Sequence, residues 1–497
     1  MKGNKKESLP GRGYDIADFG AAGNDVQNDT SALQSAIDQC SAHGGGTVLI
    51  PSGRFCVGSF DLKSHVNLHL SENAILLASP RRADYRKRFD FPGQIPHFFL
   101  NFDESLIYAS NAERISITGR GVIDGNGRAF FLHESRNKDG RKNVNGWRPG
   151  NLVTLENCRD ILIRDVIILD SPGFTLMPLG CARVAIDNLT IKNDRYGPNT
   201  DGIDLHCCRD VRISNCSISA GDDCITCYSM PLWLKNGGPC ENITVTNCVL
   251  STPCCGIRIG YAPTDLPIRN CVFNNLVMPD TNTGISMIAA LEPHVRLPCD
   301  PVAKHGPSIE NISFDNIVMD TEEAFYFWTD PAVSLPAGLR NIALSNIVAT
   351  GRYGSFMGGS PAVPVDGIRI SNLKLTIDAD KRILEGYTHE SGMQILPDPP
   401  EPASRWGRLP SPHALYIRHA QNISVHDSEV VFGKPGQAWR SALRAVDVEN
   451  LLVNGLAVFG LPKKNKSPFD LEDTANASFY GCVADGKPVT PTRRKIV

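Results

Sequence analysis

The chain has no apolar run near the roughly 20 residues that a membrane-crossing helix requires, so no membrane is expected among its partners. It also lacks a surplus of charge: 50 basic against 53 acidic residues leave a net charge of −3. That balance removes the electrostatic case for binding nucleic acid. The stretch Met1–Gly13 is polar and basic with no apolar segment of the signal-peptide kind. The expected location is therefore cytoplasmic, or secreted if a signal peptide has been removed. Nor is there a zinc framework, because Cys254-Cys255 and Cys207-Cys208 lack the spacing of structural sites. Cys224 and Cys227 have that spacing, but no second such pair follows. No metal and no cofactor are expected.

Cysteine itself is abundant, at 16 residues. Cys216 and Cys248 occupy one position of a repeat, and Cys158, Cys181, Cys208 and Cys240 another. Stacked small side chains give such a pattern, and a free cysteine packs as a small hydrophobe. Buried free thiols are thus expected rather than disulfides.

The repeat is the phrase apolar-x-apolar-x-Asn/Asp-x-apolar. Its first apolar position falls at Ile161, Val184, Val211, Ile243, Cys271, Ile312, Ile342, Ile368, Ile423 and Leu451. From Val184 to Val211 to Ile243 the steps are 27 and 32 residues. Such a period marks a solenoid whose unit cannot bury its apolar face alone. The alternation inside each unit is two-residue, so the units are strands. A solenoid grows in length rather than radius, which lets one domain span 14–497 behind a tail over 1–13. Within it, 14–60 reads as a cap region: a first strand over Tyr14–Gly20, then a helix over about 31–42, begun by Asp29 or Thr30 and stopped by Gly44-Gly45-Gly46. Its apolar residues Leu33, Ile37 and Cys40 share one face, suited to covering the open end of the solenoid. Longer excursions at 81–101, 126–149, 291–307 and 386–412 interrupt the coils. They carry Trp147, His294, Tyr387, His389 and Trp406, which are candidate sugar-stacking platforms or simple packing residues.

The coils over about 150–290 hold the candidate chemistry. Asn199-Thr200-Asp201-Gly202 is followed one repeat later by Gly221-Asp222-Asp223-Cys224. Each run alone would be an ordinary turn. Stacked parallel strands lie about 4.8 Å apart, so Asp201, Asp222 and Asp223 converge. Glycoside hydrolysis needs one carboxylic acid to protonate the leaving oxygen and another carboxylate to activate water or attack. Crowding like charges raises one pKa and so supplies the proton donor.

Extended to Ile203-Asp204 and Cys224-Ile225, these runs resemble the first two signature motifs of glycoside hydrolase family 28, the polygalacturonases and rhamnogalacturonan hydrolases. The opening stretch with Gly44–Val48, Leu62-Lys63-Ser64, Ser171-Pro172 and the later coils fit the same family, so the resemblance covers nearly the whole chain. It implies an all-β fold, a single-stranded right-handed parallel β-helix with an N-terminal capping helix, and an inverting mechanism. Carried over, Asp222 is the general acid, while Asp201 and Asp223 hold and deprotonate the attacking water. Asn199 belongs to the substrate side of the first motif.

Three departures bear on the substrate. Where the family has the histidine of Gly-His-Gly, this chain has Cys255. Where the family has the cations of Arg-Ile-Lys, it has Ser286 and Ile288, and a lysine usual after the second motif is Tyr228. Arg258 alternates away from Ile257 and Ile259, towards the cleft, and can grip a carboxylate by two parallel bonds. The expected function is an inverting glycoside hydrolase on a pectin-related or other plant-type glycan, other than plain polygalacturonate. Two alternatives stand beside it. One is a polysaccharide lyase, which the acids and Arg258 would resemble and whose unsaturated product would reveal it. The other is a non-catalytic glycan-binding β-helix, excluded by turnover. A carbohydrate is the expected partner, and the oligomeric state is open.

Overall fold

The computed structural model describes residues 13–88, 100–137, 140–231, 234, 236–291, 303–378, 413–433, 439–461, 467–489 and 491–494. His294, Tyr387, His389 and Trp406 lie outside the described residues. Among the described residues thirty-six strands join in one continuous sheet system, and the coils pair in parallel from Tyr14 to Arg494. This is a parallel β-helix. The repeat phrase is its register: Ile161 pairs with Val184, Val184 with Val211, Val211 with Ile243, and the ladder continues through Cys271, Ile312 and Ile342 to Ile368. All eight are at most 3 % exposed, and each such apolar side chain contributes about 1.5–3 kcal/mol on burial. The interior also stacks aromatic on aromatic, with Phe273 and Phe314 4.9 Å apart at 14°.

The Asn/Asp of the phrase makes the corners. Asn188, Asn215, Asn247, Asn275, Asn316, Asn346 and Asn372 all adopt left-handed φ between 51° and 59°. Asparagine tolerates that region because its short amide hydrogen-bonds locally. A second corner does the same, and there the amides form a ladder. Asn242 Nδ2 donates to Asp210, Asn270 to Asn242, Asn311 to Asn270 and Asn341 to Asn311, over 2.7–3.3 Å. Every amide donates towards the preceding coil.

The cap departs from expectation in two details. Only Tyr14–Asp15 is strand, and Ile16–Phe19 is a 3₁₀ turn. Asp15 Oδ1 accepts from Ala17 N at 2.9 Å, and that local bond competes with strand pairing. The helix spans Thr30–Ala42 and buries Leu33, Ile37 and Cys40 as expected. Asp29 stands at its N-cap without capping it, because its carboxylate accepts from Ala22 N at 2.8 Å and Gly23 N at 3.2 Å instead. Asp29 thereby ties the preceding turn to the helix.

All fifteen described cysteines are free, and only Cys56 and Cys254 are less than buried. At one corner the thiols donate to backbone carbonyls of the preceding coil, Cys181 to Leu155 at 3.1 Å and Cys208 to Pro178 at 3.3 Å. A cysteine at this corner therefore fills the core and meets a carbonyl that alanine would leave alone. Thiol titration without reductant is expected to count few reactive groups in the native protein and nearly all 16 after unfolding. A low count after unfolding would reveal disulfides.

Candidate active site

The first motif ends in the strand Ile203–His206, and the second leads into Ile225–Tyr228. The two pair in register, Ile203 with Ile225 and Asp204 with Thr226, and the next coil adds Ile257 and Arg258. Just before the strands, Gly202 N donates to Asp223 O and Cys224 N to Cys255 O, both at 2.9 Å. Asp201, Asp223 and Cys255 are therefore neighbours on successive coils. Both motif glycines are sterically required. A Cβ on Gly221 would lie 2.3 Å from Asp194 O, and one on Gly202 2.4 Å from Cys224 O.

Asp201, Asp222 and Asp223 each present an oxygen within 4.8 Å of the others. Asp222 keeps 22 % of its side-chain surface open, against 5 % for Asp223. Asp201 is 4 % exposed. Burial, with Asp204, Asp222 and Asp223 nearby, pushes the Asp201 carboxyl well above its ordinary range. Burial does the same to Asp204, even though Thr226 Oγ1 donates to it at 2.8 Å. Burial alone would also raise Asp223, but the Arg258 guanidinium beside it outweighs that and holds it below the ordinary value. Crowding thus raises some of the clustered acids, as charge repulsion requires. The rise falls on Asp201 and Asp204.

Arg258 points away from the core, the direction that alternation predicts, and its partner is an acid of the cluster. Its fork is closed on Asp223: Nε bonds Oδ2 and Nη2 lies 3.3 Å from Oδ1. Cys255 N also donates to that Oδ1, at 3.0 Å. The Tyr261 ring covers the guanidinium at 4.8 Å, leaving 7 % of the side chain exposed. A register rung explains this. Asp204, Thr226, Arg258 and Ser286 stack on four successive strands, so Arg258 stands next to the acids and not in the open cleft. Ser286 is fully buried, with its Oγ unpartnered. Cys255 is also buried, while Tyr228 is half-buried over His206, with ring centres 5.0 Å apart. Burial pushes His206 down to about 4. Asn199 accepts from Arg148 Nη2 at 3.0 Å.

Two guanidiniums went unseen in the sequence. Arg148 is wholly buried beneath the first motif, donating to the carbonyls of Pro172 at 2.9 Å and of Pro198. Arg141 comes from the 126–149 excursion, which folds back as an antiparallel hairpin of Phe131–Arg136 against Lys142–Val144. Its Nη2 lies 3.9 Å from Asp222 Oδ2. Lys142 closes the hairpin onto the coil by an ion pair with Asp194 and a 2.7 Å bond from its N to Tyr196 O. Trp147, in the same excursion, is packed between Tyr85 and Phe130 at 5.2 and 5.5 Å, with Nε1 on Glu104 at 2.8 Å. Asp204 was within reach of sequence reasoning, since it alternates outward between the buried Ile203 and Leu205.

Among the described residues no helix is long and apolar enough to cross a membrane. The chain is similar to a "Probable polygalacturonase" of Vitis vinifera, 26 % identical over 388 residues that cover 73 % of this chain and 74 % of that protein. It is 29 % identical over 279 residues to an "Exopolygalacturonase" of Zea mays, covering 54 % and 60 % of the two chains. The fold is similar to that of a Family 28 exopolygalacturonase of Yersinia enterocolitica, with a TM-score of 0.62 and 19 % identity over 97 % of this chain and 80 % of that one. It is similar also to that of an exopolygalacturonase of Thermotoga maritima, with a TM-score of 0.57 and 24 % identity over 74 % and 88 %. The model of "Glycosyl hydrolases family 28" matches residues 40–330, a span that holds the acids and the coils presenting them, so the chain belongs to glycoside hydrolase family 28 and is a glycoside hydrolase.

Proposed function

We propose that this hydrolase cleaves, with inversion, an O-glycosidic bond in a pectin-related or other plant-type glycan, and that plain polygalacturonate is a poor substrate. The observation that carries the assignment of roles is the unequal exposure of the three acids. Of the three, Asp222 is open enough to meet a leaving oxygen, while Asp201 and Asp223 are almost closed to solvent. Asp222 acts as the general acid, and the two buried acids hold the attacking water. Oxygens of the three acids come within 4.8 Å of one another, closer than the roughly 6.5–9.5 Å between carboxyls usual in inverting enzymes. Inversion is favoured because two carboxylates, rather than one, are available to hold water, so neither has to attack the sugar.

The restriction on substrate rests on Cys255, Ser286 and Ile288, which replace a histidine and two cations of the family. A chain of galacturonates puts a carboxylate on both sugars of the cleaved bond, and each needs a paired donor when it leaves water. Arg258, already engaged by Asp223, offers little to either. The test is incubation with pectic and neutral plant oligosaccharides, following the product by proton NMR. The expected result is cleavage with an inverted anomeric signal appearing first, and slow turnover of unbranched polygalacturonate. A retained anomer, an unsaturated product, or efficient cleavage of plain polygalacturonate each defeats a stated part of the proposal.

A further inference from the structure

We infer that Arg141 reads a single sugar carboxylate at the cleaved bond, so that the scissile linkage joins one uronic acid to one neutral sugar. This inference rests on the hydrolase reading above. Among the described residues three guanidiniums face the acids, and they differ in what remains free. Arg258 has its fork on Asp223, and Arg148 donates to two carbonyls and to Asn199. Arg141 is 17 % exposed, and its Nη1 is buried without a hydrogen-bond partner. Asp222, its nearest acid among the described residues, is 3.9 Å from Nη2, too far for a hydrogen bond. A desolvated guanidinium with an unused donor is an unfavourable arrangement unless a ligand completes it. The acceptor geometry that matches its fork is a carboxylate.

Position decides which carboxylate this is. Asp222 delivers its proton to the oxygen between the two sugars, so a cation beside Asp222 stands beside that bond. The backbone that presents Arg141 is held at both ends. Its N donates to Asn137 Oδ1 at 2.9 Å, its O accepts from Asn137 N at 2.8 Å, and the following residue is tied to Asp194 and Tyr196. Arg136, on the partner strand, stacks on Tyr196 at 4.4 Å. The hairpin thus supplies a cation beside Asp222. One free fork satisfies one carboxylate, and neither of the other two described guanidiniums beside the acids has a free fork for a second acidic sugar across the bond.

The experiment compares an oligosaccharide bearing one uronic acid next to a neutral sugar with its carboxyl-reduced counterpart. Binding is measured by calorimetry in an Asp201→Asn background, which is expected to be slow enough for titration, with and without Arg141→Gln. The expected loss is about tenfold or more for the acidic ligand and less than about twofold for the reduced one, the pattern of a charge-assisted bond. Arg141→Lys, which keeps the charge and loses the fork, should fall between. Equal losses for both ligands, or no loss for either, overturn the inference, as does a wild type that prefers the reduced ligand. Melting curves exclude misfolding, and if Arg141→Gln fails to fold, Arg141→Lys alone decides by the same ratio. Turnover by the wild type is scored separately. A protein that binds selectively through Arg141 but never cleaves would defeat the hydrolase reading and leave the carboxylate site standing.

Discussion

Asp222→Asn should lower hydrolysis of a natural glycan by about 10³–10⁴-fold, the upper range of general-acid help, while leaving the melting temperature nearly unchanged. An amide cannot donate an acidic proton to the leaving oxygen, and Asp222 is the most open of the three acids, so its loss disturbs little packing. Asp201→Asn and Asp223→Asn should each cost at least about a hundredfold. The variants separate on an aryl glycoside whose leaving group departs without protonation. Such a substrate should restore most of the rate to Asp222→Asn and little to Asp201→Asn. This contrast matters because burial raises the Asp201 carboxyl and so makes it a rival proton donor. If the aryl glycoside rescues Asp201→Asn instead, the two roles are exchanged. Near-normal turnover by Asp222→Asn would remove the assignment altogether.

Arg258→Ala should be the most destabilising single change at the site. It leaves the Asp223 carboxylate buried and unpaired, a situation that costs about 3–5 kcal/mol when one partner of a buried pair is removed. The pH dependence has a defined sign. The Asp223 pKa is depressed in the folded protein, so its contribution is fully present above the unfolded value of about 3.9. It is lost as pH falls through the lower folded value. The wild type should therefore lose this contribution only at strongly acid pH. The deficit of Arg258→Ala, largest at neutral pH, should shrink on acidification as Asp223 takes up a proton and ceases to be an unpaired charge. Chemical denaturation at several pH values measures both. The double variant Arg258→Met/Asp223→Asn, which removes the charges together, should recover part of the stability. A double variant as unstable as the sum of the singles would mean that Arg258 acts through packing under Tyr261 and not through the ion pair. Because its fork is engaged, Arg258→Ala should impair acidic and neutral substrates alike, in contrast to Arg141.

The coils were readable in the sequence because one short phrase carries two constraints at once. Its apolar residues set which face turns inward, and its asparagine sets where the backbone takes a left-handed corner. Together they fix the register from Ile161 to Ile368. The acids were readable for the same reason, since Asp201 and Asp223 inherit the register of the strands that follow them. Arg141 and Arg148 were not. The hairpin that presents Arg141 lies outside the repeat, so no periodicity says how it folds back. Arg148 is recognisable only once Pro172 and Pro198 from two later turns are seen around it. Arg258 was half legible: alternation gave its direction, but its partner depends on which acid stands on the adjoining rung. Asp15 and Asp29 defeated the reading of the cap because each side chain chose a local backbone partner over the role its position suggested.

The corner amides give the rod a head and a tail. From Asn341 back to Asp210 each side chain hands a hydrogen to the coil before it, and the series ends on a carboxylate, which only accepts. A second series, from Asn476 through Asn450 and Asn422, likewise ends on an acid, Asp366. An aspartate is thus at home at the foot of a series and costly in its middle, where it would break the donation to the coil below. Deamidation with age, which turns asparagine into aspartate, should therefore weaken the rod unevenly. The same polarity repeats from coil to coil between Asn242 and Asn341, so each of these corners presents an acceptor to the coil above and a donor to the coil below.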